Sequence, residues 1–276
     1  MILTVTLNPS IDVSYPLDHL KIDTVNRVKT VRKTAGGKGL NVSRVIHLLD
    51  HDITATGFIG GYFGKWLENQ LDHDGIAHNF FPIDAETRSS IAVLHDGGKQ
   101  TEILEAGPTI APEDASAFLD HFDKLLDQTD LLTISGSMPQ GLPEDYYTQM
   151  IAHAGAKNVK VLLDTSGATL KQALTDPIFD GVDWIVVSLG SAGAFVKHQD
   201  KFYHAAIPKI QVVNPVGSGD STLAGLAMGI HDGKSDEDIM KTAMTTGMLN
   251  TMEAETGFVD PAKFAEYFAK VTIETY

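Results

Sequence analysis

Five short runs rich in Val, Ile and Leu recur along the chain, at Ile2 to Leu7, Ile53 to Ile59, Leu131 to Ile134, Val159 to Leu163 and Trp184 to Leu189. Runs of this length suit the buried strands of a largely parallel sheet. Amphipathic segments lie between them. Val42, Val45, Ile46 and Leu49 follow the i, i+3, i+4, i+7 spacing of a helix face, and Ala115, Phe118, Leu119 and Phe122 do the same. Alternating strand and helix predicts an α/β layered fold. Two regions, residues 11–34 and 88–106, break the rhythm. In the second, Ser90 to His95 and Thr101 to Glu105 flank Asp96-Gly97-Gly98, the signature of a hairpin. Such polar strands are expected to form a small separate sheet, a lid over a cleft or a dimer surface.

Composition narrows the class of partner. The 276 residues, 43% hydrophobic and 21% charged, suffice for one main domain with an elaboration, and we expect a single domain over residues 1–276. A formal charge of −15 repels polyanions, so nucleic acid is not an expected partner, and a small anionic substrate requires a local cluster of Lys and Arg. The chain has no cysteine, which excludes disulfides, thiolate metal sites and cysteine nucleophiles. No apolar run approaches the ~20 residues that span a bilayer. Met1 to Leu7 alternates like a strand and lacks the basic flank of a signal peptide. A cytoplasmic protein without a membrane partner is expected.

Three motifs carry chemistry. Asn214-Pro215-Val216-Gly217-Ser218-Gly219-Asp220-Ser221 precedes a small, apolar helical pattern, Thr222 to Ile230. Glycines at a helix start let backbone approach an anion, and the free N–H groups and helix dipole favour negative charge there. An Asp in that first turn supplies a carboxylate for an acceptor hydroxyl, as phosphoryl transfer requires. A glycine-rich turn capped by Asp220 accounts for the local pattern equally well. Gly36-Gly37-Lys38-Gly39-Leu40-Asn41 opens a second helix, where Lys38 and Asn41 suit sugar hydroxyls or a phosphate. It is not a Walker A loop, and by itself it is equally a tight turn. Asn8-Pro9-Ser10-Ile11-Asp12 ends the first strand, placing Asp12 either in a ligand crevice or in an Asx turn.

Together these stretches resemble the PfkB branch of the ribokinase-like carbohydrate kinases, over nearly the whole chain. The Gly-Gly-Lys-Gly-x-Asn and Pro-Val-Gly-Ser-Gly-Asp stretches are the two signatures of that family. Within it, Met1 to Asp12, Thr24 to Arg27, Thr101 to Pro108 and Ser135-Gly136-Ser137 are most similar to kinases of tagatose 6-phosphate, and next to those of fructose 1-phosphate. The resemblance implies an α/β/α core, a β-sheet lid that also clasps a homodimer, and ATP with Mg²⁺. It implies that Asp220 is the catalytic base, with Gly217, Ser218 and Gly219 as the anion hole. Asp12, Gly37, Lys38 and Asn41 then fall on sugar-binding positions, and Ser188, Gly190 and Gly193 on the nucleotide-binding turn. Arg27 and Arg88, with Lys38, form the expected phosphate cluster. The reaction it implies is ATP-dependent phosphorylation of tagatose 6-phosphate to the 1,6-bisphosphate.

One departure bears on mechanism. After Asp164-Thr165-Ser166-Gly167 the family continues to a strand ending in Lys-Pro-Asn with a Glu three residues later, and this chain has neither. Roughly one strand–helix unit, ~30 residues, is missing. We expect the full protein to retain that unit, because loss of an interior strand and its covering helix exposes apolar surface that nothing here replaces. Asp164 is then the remaining metal-ligand candidate, or simply a helix-entry cap. A genuine deletion points instead to a non-catalytic sensor of sugar phosphate or nucleotide.

Overall fold

The computed structural model describes residues 1–165 and 182–276. Strands β1 (Ile2–Val5), β2 (Ser10–Pro16) and β3 (Arg32–Gly36) lead into helix α1 (Lys38–Leu48). Strands β4 (Ile53–Thr56) and β5 (Phe58–Ile59) precede α2 (Gly61–Asp74), which is followed by β6 (Phe81–Pro82), β7 (Arg88–His95) and β8 (Lys99–Leu104). Next come α3 (Pro112–Leu126), β9 (Leu131–Ser135), α4 (Tyr146–Ala156) and β10 (Lys160–Asp164). The last part holds β11 (Trp184–Ser188), β12 (Ala194–His198), β13 (Lys201–Ala206), α5 (Ser218–His231), α6 (Asp236–Thr251), α7 (Phe264–Phe268) and β14 (Thr272–Thr275).

The central sheet is parallel, in the order β10-β9-β1-β4. Its side chains alternate between two apolar layers, as a strand's period of two requires. Ile2 and Leu131 pack with Leu40 and Ile46 of α1, and with Leu223 and Ala227 of α5. Leu3, Val5 and Ile134 pack on the opposite face with Phe118 and Phe122 of α3 and Tyr146 of α4. All four residues of β1 are fully buried, and each such aliphatic side chain contributes roughly 1.5–3 kcal/mol. The run Ile53 to Ile59 is interrupted at Gly57, where φ is 155° and a Cβ would lie 1.9 Å from the Thr6 carbonyl oxygen. The chain therefore leaves β4 and pairs as β5 with β6.

The two irregular regions form the expected separate sheet, ordered β3-β2-β7-β8. Its hairpin turns on Asp96 and Gly97, both at positive φ (48° and 71°), as a tight two-strand turn demands. Apolar residues of the two inner lid strands are engaged within the chain. Val13 and Val93 are buried, while Tyr15 and Ile91 are half-buried. Ile103 and Leu104, on the edge strand β8, are the most exposed large apolar residues of the four strands, at 60% and 58%.

Trp184 to Leu189 departs from expectation. As β11 it pairs antiparallel with β12, opening a second sheet ordered β11-β12-β13-β14. One face of that sheet, with Val196 and Tyr203, packs on Met240 and Met244 of α6. Ile185, Val187, Phe195 and Phe202, on the other face, are exposed. Among the described residues β10 and β11 each edge their own sheet. The Ser166 to Leu174 stretch that departs from the family pattern lies outside the described residues.

Helices α5 and α6 approach backbone to backbone because small residues line their contact. A Cβ on Gly225 would stand 2.6 Å from Ala243 Cα, and one on Gly247 would stand 2.4 Å from Thr222 Oγ1. Gly225→Ala is therefore expected to lower the melting temperature, since overpacking costs about 1–3 kcal/mol and outweighs the roughly 1 kcal/mol gained in helix propensity. Open space faces Gly155 on α4, so Gly155→Ala should melt at or above the wild-type temperature. Thermal melts of the two variants side by side check this.

Candidate active site

Asp220 sits in the first turn of α5, which starts where it does because Gly217 caps it in the left-handed region, at φ 83°. A Cβ there would meet Thr256 Cγ2 at 2.6 Å, so the loop tolerates only glycine. Asn250, fully buried on α6, pins this loop: its Nδ2 donates to the Val216 carbonyl (2.8 Å) and its Oδ1 accepts from the Gly257 amide (2.7 Å). Beyond the cap, the Gly219 and Asp220 amides have no backbone acceptor among the described residues, and open space faces Gly219. These donors, with the dipole of α5 behind them, suit an anion.

The Asp220 side chain is 6% exposed and accepts a hydrogen bond from Asn41 Nδ2 at 2.8 Å. Burial pushes its pKa up to about 6 from an ordinary 3.8. The Asn41 hydrogen bond and the Lys38 charge oppose that rise, and the charges of Asp164 and Asp12 add to it. A carboxylate of this kind is ionised at neutral pH yet basic enough to take a proton.

The second glycine cluster builds the other wall. A Cβ on Gly36 would overlap the Asp12 carboxyl carbon at 2.0 Å, so the end of β3 gives Asp12 its space. Gly37 turns the chain at φ 111° into α1, whose first residue is Lys38 and whose first turn carries Asn41. Asp12 is held by Ser10 Oγ at 2.6 Å. Burial raises its pKa, against the lowering effect of that hydrogen bond and of the Arg88 and Arg44 charges. Arg88 donates from Nε to the Asn8 carbonyl and from Nη1 to the Glu105 carbonyl, both at 3.2 Å, at the root of the lid. Lys38 Nζ reaches Asp164 Oδ2, at the end of β10, at 3.1 Å. Asp12, Lys38, Asn41, Asp164 and Asp220 thus gather outside the carboxyl ends of the parallel strands, where open α/β sheets bind ligands.

No three His, Asp or Glu side chains converge into a metal-binding group among the described residues. Mg²⁺ commonly takes one or two carboxylates and completes its shell with phosphate and water, so Asp164 alone fits an ion carried by a nucleotide.

Other predicted residues stand apart from this cluster. Arg27 is exposed on the loop between β2 and β3 and makes no ion pair with a described residue. Ser188, Gly190 and Gly193 form the turn from β11 to β12 on the second sheet. Gly193 is required there, since its φ is 87° and a Cβ would lie 1.9 Å from the Ala205 carbonyl oxygen. Two residues that organise the site escaped sequence reasoning, Arg44 and Asn250. Both are polar residues at inward helical positions, the one available signal, and each has a distant partner, Thr256 at 212 residues from Arg44 and Val216 at 34 from Asn250.

A family model described as pfkB family carbohydrate kinase matches residues 5–178 and 168–263. Among solved structures, a Staphylococcus aureus protein described as a candidate phosphofructokinase is 30% identical, with 100% of this chain and 99% of that one covered and a TM-score of 0.85. A Thermotoga maritima protein described as a candidate 1-phosphofructokinase is 24% identical over 100% and 99% of the two chains, with a TM-score of 0.88. Escherichia coli phosphofructokinase-2 in complex with fructose 6-phosphate is 22% identical over 97% and 98%, with a TM-score of 0.86. The last two show the shared ribokinase-like α/β fold. The family match and this fold define a phosphotransferase with an alcohol group as acceptor, and the buried carboxylate beside open helix amides suits that chemistry. The chain belongs to the PfkB family of carbohydrate kinases, with ATP as co-substrate. No helix among the described residues is long and apolar enough to cross a membrane.

The raised pKa of Asp220 has two measurable consequences. If its carboxylate takes a proton in turnover, kcat/KM should fall tenfold per pH unit below about 6. The stability effect has the opposite sense: a folded pKa above the unfolded one means stability is lost as pH rises from 3.8 through about 6. That loss is on the order of 3 kcal/mol. Asp220→Asn should therefore melt higher than wild type at pH 7.5 and equal to it near pH 4, while losing at least ~10²-fold in kcat. Melts and initial rates across pH check both.

Proposed function

We propose that this kinase transfers the γ-phosphoryl group of ATP to the C1 hydroxyl of D-tagatose 6-phosphate, giving the 1,6-bisphosphate and ADP. The observation that carries the mechanism is Asp220, buried, proton-attracting and in the first turn of α5, where the Gly219 and Asp220 amides have no backbone acceptor among the described residues. The sugar oxygen attacks the γ-phosphorus as its proton passes to Asp220 and the bond to ADP breaks; the Gly217 to Gly219 turn stabilises charge on the transferring group. Asp12 and Asn41 hold sugar hydroxyls, and Gly37 lets the sugar approach the backbone. Lys38, Arg88 and Arg27 supply positive charge for the sugar's own phosphate. Ser188, Gly190 and Gly193 take the nucleotide. Asp164 is the residue to hold Mg²⁺, which when bound offsets the charge of the nucleotide phosphates. We assign these roles within one kinase domain spanning residues 1–276.

A fructose phosphate is the second substrate reading, favoured by the 30% identity to the candidate phosphofructokinase. Initial rates with tagatose 6-phosphate, fructose 1-phosphate and fructose 6-phosphate separate the readings, and the highest kcat/KM names the substrate. Equal rates with free tagatose would overturn the phosphate cluster. Arg27 is exposed and makes no ion pair with a described residue, so Arg27→Ala is a clean probe: it should raise KM for the sugar phosphate several-fold and leave KM for ATP unchanged.

We further propose a homodimer formed through the lid, with Ile103 and Leu104 at its contact, since an exposed apolar edge strand favours pairing with a copy of itself. Ile103→Asp with Leu104→Asp should give a folded monomer by light scattering and circular dichroism. A dimer that survives both substitutions removes the clasp.

A further inference from the structure

Arg44 lies one helical turn beyond Asn41 on α1, facing inward, and its guanidinium has three protein acceptors. Nη1 donates to Asn41 Oδ1 at 3.2 Å and to the Thr256 carbonyl at 3.1 Å, and Nη2 donates to the Ala35 carbonyl at 2.6 Å. Those partners belong to three separate parts of the molecule: α1, the loop after α6, and lid strand β3 where it meets the glycine cluster. The packing around it is tight, since a Cβ on Gly257 would stand 2.9 Å from Arg44 Nη1 and 2.9 Å from Asn41 Cα.

A carboxamide has two ends of opposite hydrogen-bonding character, and nothing intrinsic to Asn41 decides which end meets Asp220. With its NH2 turned to Asp220 it donates to the carboxylate; turned the other way, its oxygen would confront a carboxylate oxygen at the same 2.8 Å. Guanidinium is a donor only and cannot lose its charge in a protein. Whatever amide end it touches must be the oxygen.

We propose that Arg44 is a positioning residue for phosphoryl transfer: by claiming Asn41 Oδ1 it forces the Asn41 NH2 onto Asp220, and through Ala35 it ties that pair to the lid strand. The inference rests on Asp220 being the base. Arg44 itself touches neither substrate nor the reacting atoms. Its reach to Ala35 also gives the lid a polar link to the base, beside the steric one in which Gly36 makes room for Asp12.

A purely structural role, satisfying two carbonyls, is the alternative, and a double-mutant cycle with a rescue arm separates the two. Asn41→Leu and Arg44→Met should each lower kcat by about tenfold or more, and combining them should cost less than about twofold beyond Asn41→Leu alone, because Asn41→Leu already removes the amide through which Arg44 acts. KM for ATP should stay within about twofold throughout. Arg44→Lys keeps an obligate donor but cannot reach three acceptors at once. It should recover most of kcat while still melting below wild type, which splits positioning from stability. If Arg44→Met does not fold, Arg44→Gln takes its place in the cycle with the same readouts. Independent, multiplying losses in kcat, or an Arg44→Lys variant as slow as Arg44→Met, would overturn the proposal. Asp220→Asn, measured alongside, distinguishes the two levels: near-normal kcat there overturns the base itself, whereas a large loss there with multiplying Arg44 and Asn41 effects overturns only the positioning role.

Discussion

The hydrogen bond between Asn41 and Asp220 joins the first turns of two helices that begin 180 residues apart in the chain, α1 at Lys38 and α5 at Ser218. A carboxylate buried this deeply has lost most of its water, and a single amide donor with a nearby lysine only partly replaces it. The chain carries that destabilised group because the surrounding structure leaves it no alternative. Small residues draw α5 against α6, and aliphatic packing sets α1 and α5 on the same face of the parallel sheet. The helix ends converge as a consequence, and the site inherits its geometry from packing some distance away.

Glycine does a different job at each wall of the cleft. At Gly217 it supplies a left-handed cap and clearance from Thr256, which lets α5 present open amides. At Gly36 it clears the space filled by the Asp12 carboxyl group. The lid strand and the Asp12 carboxylate are therefore fitted to one another, and a side chain at either glycine would push apart elements that meet there.

The junction between the two sheets is the least economical part of the structure. Strand β10 ends a sheet covered on both faces, whereas β11 starts one whose outer face shows Ile185, Val187, Phe195 and Phe202. Apolar surface of that kind, beside two strand edges that have no partner strand among the described residues, is what an additional strand and helix would cover. All five residues of the Asp12, Lys38, Asn41, Asp164 and Asp220 cluster lie on described elements, and Asp164, the last residue of β10, is the one that borders the junction.

Much of this was legible in the residues themselves. Runs of Val, Ile and Leu gave the parallel strands, because burial on both faces demands continuous apolar sequence, and Asp96-Gly97 gave the lid hairpin, because the turn demands positive φ. Local demands of that sort are written in neighbouring residues, as are the two glycine-rich helix starts. Pairing partners are not: Trp184 to Ser188 has the composition of a parallel strand yet pairs antiparallel, and Val13 is buried within its own chain. Nor was Arg44 visible, since its meaning lies in three acceptors contributed by Ala35, Asn41 and Thr256. The sequence by itself determined which groups carry charge and where backbone must bend; only the tertiary structure decided which polar groups face one another, because a hydrogen bond depends on distance and orientation that chain separation does not encode.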